Sequence, residues 1–202
     1  MAATAEPIIL ASASAARAAL LRAACIAFAV EPAAIDEARL KRVARQAGGS
    51  AIDCAAVLAA EKACAISNRF PQALVIGADQ VLVAGSEWFD KPGDLGEARA
   101  QLRALRGRTH TLATAVCVAR GGIPLWGATS APELTMRRFS EGFLEAYTIA
   151  EGETLLGSVG AYRLEGRGVQ LFSRIIGDHF AVLGLPLIEL LGFLREQGAV
   201  LT

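Results

Sequence analysis

Apolar and polar positions fall into blocks along the chain, and the blocks give the elements. Ile8-Ile9-Leu10 is a short unbroken apolar run, the pattern of a strand buried on both faces. Ser12 to Ala24 sets Ala and Leu at helical intervals with Arg17 and Arg22 among them, so it predicts a helix capped by Ser12 or Ser14. Phe28-Ala29-Val30 predicts a second short strand. A polar stretch with Asp36 and Glu37 leads into Arg/Lys-rich helical sequence over 38–47, which Gly48-Gly49-Ser50 ends. A long helix follows over 51–68.

The next block is Val75-Ile76-Gly77-Ala78-Asp79-Gln80-Val81-Leu82-Val83. Two apolar runs flank a Gly-Ala step and one acid, which predicts a strand pair broken at Asp79. A carboxylate there is costly to bury unless it is paired, hydrogen-bonded or metal-bound; the plainer reading is a turn Asp. Lys91-Pro92-Gly93-Asp94 predicts a loop capping a helix over 95–105. Thr109–Ala119 and Leu125–Phe139 predict two long strands joined at Gly121-Gly122. A helix over 141–150, a glycine-punctuated loop over Gly157–Gly168, a strand over Val169–Ile175 and a closing helix over Pro186–Gln197 complete the pattern. Strands alternating with helices predict an α/β fold, and the hairpin makes its sheet mixed.

Composition sharpens this only in places. The chain has 202 residues, 53% of them hydrophobic, which suits a globular fold of one good-sized domain or two small lobes. Twenty basic residues balance twenty acidic ones, which argues against a general nucleic-acid or anionic-membrane surface. Cys25, Cys54, Cys64 and Cys117 show no zinc-ligand spacing and read as reduced core thiols. Arg17 and Arg22 interrupt any signal-peptide core. The apolar stretch from Phe180 to Leu194 carries Pro186 and Glu189 and is too short to span a bilayer. The expectation is a cytoplasmic protein with no membrane partner.

Candidate chemistry clusters around a few side chains. Ser12, Ser14 and Arg17 stand where a buried strand enters a helix, a combination that binds phosphate; each alone reads as an ordinary cap or a solvated arginine. Lys62 and Lys91 read singly as solvated lysines, and Glu37 as a metal ligand or a helix-entry acid. There is no P-loop, dinucleotide fingerprint or nucleophile elbow. The chemistry of an enzyme built on this chain would come from carboxylates, lysines, arginine and a hard metal, Mg2+ or Mn2+. That set suits phosphate-ester or phosphoanhydride hydrolysis.

Taken in order, the markers resemble one family. They are Leu10-Ala11-Ser12-Ala13-Ser14 with Arg17, Ile35-Asp36-Glu37, Glu61-Lys62-Ala63, Ile76-Gly77-Ala78-Asp79, Lys91-Pro92, Gly107-Arg108-Thr109-His110, Gly160-Ala161-Tyr162, Leu164-Glu165-Gly166, Ile176-Gly177-Asp178 and Val182-Leu183-Gly184-Leu185-Pro186. Together they resemble the Maf family, the septum-formation-inhibitor-like nucleotide pyrophosphatases, over nearly the whole of the chain. The resemblance implies one Maf/ITPase-like domain over 7–198: a strongly twisted mixed sheet flanked by helices, in two lobes around a cleft. It implies a cytosolic, often dimeric enzyme that uses a divalent cation to split a nucleoside triphosphate into monophosphate and pyrophosphate. Asp79 matches the proposed general base and, with Glu37, the metal position. Ser12, Ser14, Arg17, Glu37, Lys62 and Lys91 match substrate or metal positions.

The chain departs from the family's Ser-Pro-Arg-Arg, having Ser14-Ala15-Ala16-Arg17 and so one arginine fewer. Gln80 and Glu165 resemble the 7-methyl-GTP branch, where the dTTP/UTP branch has Thr and Gln. The 7-methyl-GTP branch typically has an aromatic at the Ala16 position, which this chain lacks. A dTTP/UTP-preferring enzyme and a nucleotide-binding regulator of cell division without turnover are the alternatives.

Overall fold

A computed structural model describes residues 6–201. The chain divides into two compact units. The first takes residues up to Gln80, Thr114–Ser130 and the stretch from Asp178 onward; the second takes Val81–Ala113 and Ala131–Gly177.

In the first unit, β1 (Ile8–Leu10) pairs in parallel with both β2 (Ala29–Val30) and β3 (Leu74–Ala84). The strand order is β2-β1-β3-β5, where β5 is Thr109–Arg120, and β6 (Ile123–Ser130) adds to β5 in antiparallel register from Thr114 to Arg120. Side chains alternate across the sheet and so feed two cores. Ile8, Leu10, Leu74, Ile76 and Ala78 pack with Leu20 and Leu21 of α1 (Ala15–Ala23) and with Leu190, Phe193 and Leu194 of α7 (Leu187–Glu196). Ile9, Ala11 and Val75 pack the other way, onto Ile66 of α3 (Ala51–Arg69). The exposed helix α2 (Glu37–Gln46), capped by the Asp36 side chain, lies on α3. The short α6 (His179–Val182) precedes α7.

In the second unit β5 pairs antiparallel with β7 (Glu133–Met136), and β7 with β8 (Phe172–Ile176). The hairpin strand β4 (Glu87–Phe89) returns along the end of β3. Helix α4 (Leu95–Leu105) packs on α5 (Glu141–Glu151) and on the 3-10 turns Gly152–Gly157 and Val159–Ala161. Gly160 takes φ 75°, and a Cβ there would stand 2.6 Å from the Leu82 side chain. Both the conformation and the space demand glycine.

Three sequence expectations are corrected. β3 runs unbroken through Asp79, because Gly77-Ala78 serves close packing and not a turn. The predicted strand over Leu125–Phe139 is two strands, parted at Ala131-Pro132 where β5 exchanges β6 for β7 as its partner. The start of the predicted strand at Val169 is a 3-10 turn, Arg167–Leu171. The cysteines are free thiols, with Cys54 and Cys117 buried. Cys64 is half-buried, and Cys25 lies outside the core: it is exposed, just past α1, with φ 56°. Among the described residues no helix is long and apolar enough to cross a membrane.

Candidate active site

The candidate site is built at the carboxyl end of β1 and the middle of β3. Gly77 sets its geometry. A Cβ on Gly77 would lie 2.2 Å from the Ala59 carbonyl oxygen and 2.6 Å from the Ala63 nitrogen, so glycine lets α3 lie directly on β3. Asp79, two residues on, presents its side chain to the same face. Lys62, one residue before Ala63, therefore meets it. The Lys62 ammonium donates to Asp79 Oδ1 at 2.6 Å and stands 2.8 Å from Glu37 Oε1. Asp79 is 4% exposed and Lys62 6%, while the Glu37 side chain, at the start of α2, is 44% exposed. The second carboxylate oxygen, Asp79 Oδ2, is buried and has no hydrogen-bond partner among the described residues.

The turn from β1 into α1 supplies the second half. Ser14 caps α1 by accepting from the Arg17 backbone N–H at 3.3 Å, and Ser12 Oγ accepts from the Ser14 N–H at 3.2 Å. Arg17 Nε donates to the Gly184 carbonyl at 2.8 Å; Nη1 donates to the Ala78 carbonyl at 2.9 Å and to Ser12 Oγ at 3.1 Å. Three bonds to fixed acceptors lock the guanidinium next to β3. Burial pulls its pKa below the usual arginine value, while the charges of Asp79 and Glu37 pull the other way; it remains a cation. Both serine hydroxyls act here as acceptors, so each retains a proton to donate. Ala16 lies half-buried in the first turn of α1.

Gln80 points to the opposite face from Asp79. Its amide nitrogen donates to Thr114 Oγ1 at 2.8 Å and to the carbonyls of Ala181 and Val182 at 2.9 and 3.3 Å. Its donor capacity is therefore spent inside the unit. Thus Ser12, Ser14, Ala16, Arg17, Glu37, Lys62, Asp79 and Gln80 all belong to the first unit. Lys91 and Glu165 belong to the second. Lys91 is exposed, on the loop after β4. Glu165 has its carboxylate 3.8 Å from Arg163 Nε, and Arg163 Nη1 lies 3.9 Å from Glu151.

Sequence reasoning missed several supporting groups. Thr114 is fully buried and holds Gln80; the single hydroxyl within the apolar run 112–119 was its signal. Arg163 had no signal as a partner of Glu165. His110 and Tyr162 stood among the family markers without a role, and they hydrogen-bond each other at 2.8 Å through Nε2 and the phenol oxygen. Burial first, and then the Arg108 charge, depress the His110 pKa to about 4, and burial raises that of Tyr162.

Among the described residues no three His, Cys, Asp or Glu side chains cluster as a metal cage. Two carboxylates with one unpartnered buried oxygen do suit a hard divalent ion that keeps waters or takes further oxygens from a phosphate. The family model described as "Maf-like protein" matches residues 7–197. The nucleoside triphosphate pyrophosphatase of Granulibacter bethesdensis is 54% identical over 96% of this chain and 98% of its own length. That of Rhodospirillum rubrum is 46% identical over the full length of both. The 7-methyl-GTP pyrophosphatase of Rhizobium etli is 46% identical over 96% of this chain and 97% of its own.

Proposed function

The chain belongs to the Maf family, and we propose that it hydrolyses a nucleoside triphosphate to the monophosphate and pyrophosphate with the aid of a divalent cation. The observation that carries this reading is the buried Lys62–Asp79 pair, joined by the half-exposed Glu37, with Asp79 Oδ2 unpartnered. An acceptor whose other oxygen is held by a cation, the Lys62 ammonium or a bound metal ion, is a fit base for a water attacking phosphorus. Asp79 Oδ2 would take that proton. The Ser12 and Ser14 hydroxyls and the amino end of α1 would bind phosphate oxygens. Arg17, already locked by three bonds, would offer fixed positive charge with no reorganisation as charge develops. Lys62 would bind a further phosphate oxygen. Glu37 and Asp79 would hold the cation, which supplies Lewis-acid charge to the phosphates when bound.

For the base, Glu165 is an acceptor that suits the N1–H and exocyclic amine edge of guanine and disfavours the carbonyl-rich edge of uracil or thymine. With its nitrogen committed, Gln80 would offer only its carbonyl oxygen. The names of the Rhizobium relatives support a guanine nucleotide, including a 7-methylated one. Pyrophosphate release from GTP, 7-methyl-GTP, UTP and dTTP with Mg2+ or Mn2+ tests both parts. Turnover with guanine nucleotides ahead is expected. A preference for dTTP or UTP would overturn the base assignment, and binding without release would overturn the enzymatic reading.

A further inference from the structure

Lysine occurs at three positions of this sequence, 41, 62 and 91, in a chain otherwise using arginine for positive charge. Lys62 is the buried one of the three. Its ammonium sits within 2.8 Å of both carboxylates proposed to hold the cation. An ammonium at those distances takes up the same oxygens, Asp79 Oδ1 and Glu37 Oε1, that a divalent ion would coordinate at about 2.0–2.1 Å. Two cations on those oxygens at that spacing repel each other, most strongly at the buried Asp79.

We propose that Lys62 and the divalent cation compete for Glu37 and Asp79, so that cation binding releases the Lys62 ammonium from Asp79. This rests on the metal and substrate roles given above and adds an order to them: the ion displaces the lysine, and the freed ammonium turns to the triphosphate.

The fold is built for a swing of the side chain alone. Ala59 and Ala63, on either side of Lys62, are fully buried against Gly77, so the backbone of α3 is fixed. The lysine stem has four flexible carbons and a compact head, whereas arginine's planar fork would stay committed to a carboxylate. The arrangement also accounts for a residue expected at phosphate yet found on carboxylates. The rival geometry is an ion on Asp79 Oδ2 alone, with Lys62 staying where it is.

The unmodified protein tests this directly. Reductive methylation with formaldehyde, read by peptide mass spectrometry, reports each of the three lysines, with Lys41 and Lys91 as internal references. Saturating Mn2+ is expected to raise modification of Lys62 several-fold relative to Lys41. Protection of Lys62 that Mn2+ leaves unchanged overturns the proposal in favour of the Oδ2 geometry, and so does absence of Mn2+ binding. Lys62→Met supplies the second arm, with Lys62→Gln in its place if the Met variant fails to fold. Followed by the electron paramagnetic resonance of free Mn2+, the variant is expected to bind the ion about tenfold more tightly than the parent. Its Tm should be lower without Mn2+ and recover with it. Equal or weaker binding overturns competition. Release of Lys62 by Mn2+ in a protein that hydrolyses no triphosphate would sink the functional reading alone. Hydrolysis with Lys62 still protected would sink this inference alone.

Discussion

Asp79 has its two oxygens in different circumstances, one paired with Lys62 at 2.6 Å and the other buried without a partner. Asp79→Asn keeps the shape and removes the basicity. Its kcat is expected to fall about 100-fold or more, the usual scale for a general base. Turnover close to the parent's, with a divalent cation present, would remove Asp79 from the chemistry. His110 makes a stability argument at the same scale. Its pKa is depressed from 6.5 to about 4 and its Nδ1 is buried without a partner among the described residues. The unfolded chain takes up this proton near pH 6.5, and the folded chain only near pH 4. The contribution to stability is therefore complete above pH 6.5 and is lost as pH falls toward 4, amounting to roughly 3 kcal/mol. Urea unfolding at pH 7.5 and pH 4.5 should show His110→Gln with a distinctly smaller acid loss than the parent. Equal losses in the two proteins would exclude His110 as the source.

At the scale of elements, the contact of α3 with β3 places the site. Gly77→Ala sets a methyl against the Ala59 carbonyl and the Ala63 nitrogen, which are backbone atoms of a helix and cannot turn aside. Helix α3 must retreat and take Lys62 with it. A loss of about 3 kcal/mol is expected from the overpacking, with a fall in kcat/KM as Lys62 and Asp79 separate. Gly192→Ala in α7 is the control, since a Cβ there meets nothing within 4 Å. It should be neutral or gain about 0.5–1 kcal/mol, as alanine for glycine in a helix interior. Chemical denaturation of both variants checks the pair, and similar effects from the two would refute the packing argument.

Over the whole molecule, the proposed choice of base turns first on Ala16, in the first turn of α1. Alanine gives a methylated base nothing to stack on. Base–aromatic stacking is worth about 1–3 kcal/mol, so Ala16→Trp is expected to raise kcat/KM for 7-methyl-GTP over GTP by roughly 5- to 150-fold. Unchanged ratios would take Ala16 out of specificity. Much of this was legible in the chain itself. Apolar runs gave β1, a cap at Ser12 or Ser14 gave the start of α1, the Gly48-Gly49-Ser50 break gave that of α3, and the ordered markers gave the family, because these depend on neighbours in sequence. Asp79 was legible as an acid in an apolar segment but not as part of an unbroken strand. A glycine that admits a helix and one that makes a turn are the same letter, and only packing from α3 distinguishes them. Lys62 read as a solvated helix lysine for the same reason. Its burial and its two carboxylate partners come from residues 25 positions upstream and 17 downstream, and pairings across such distances are decided by the tertiary fold.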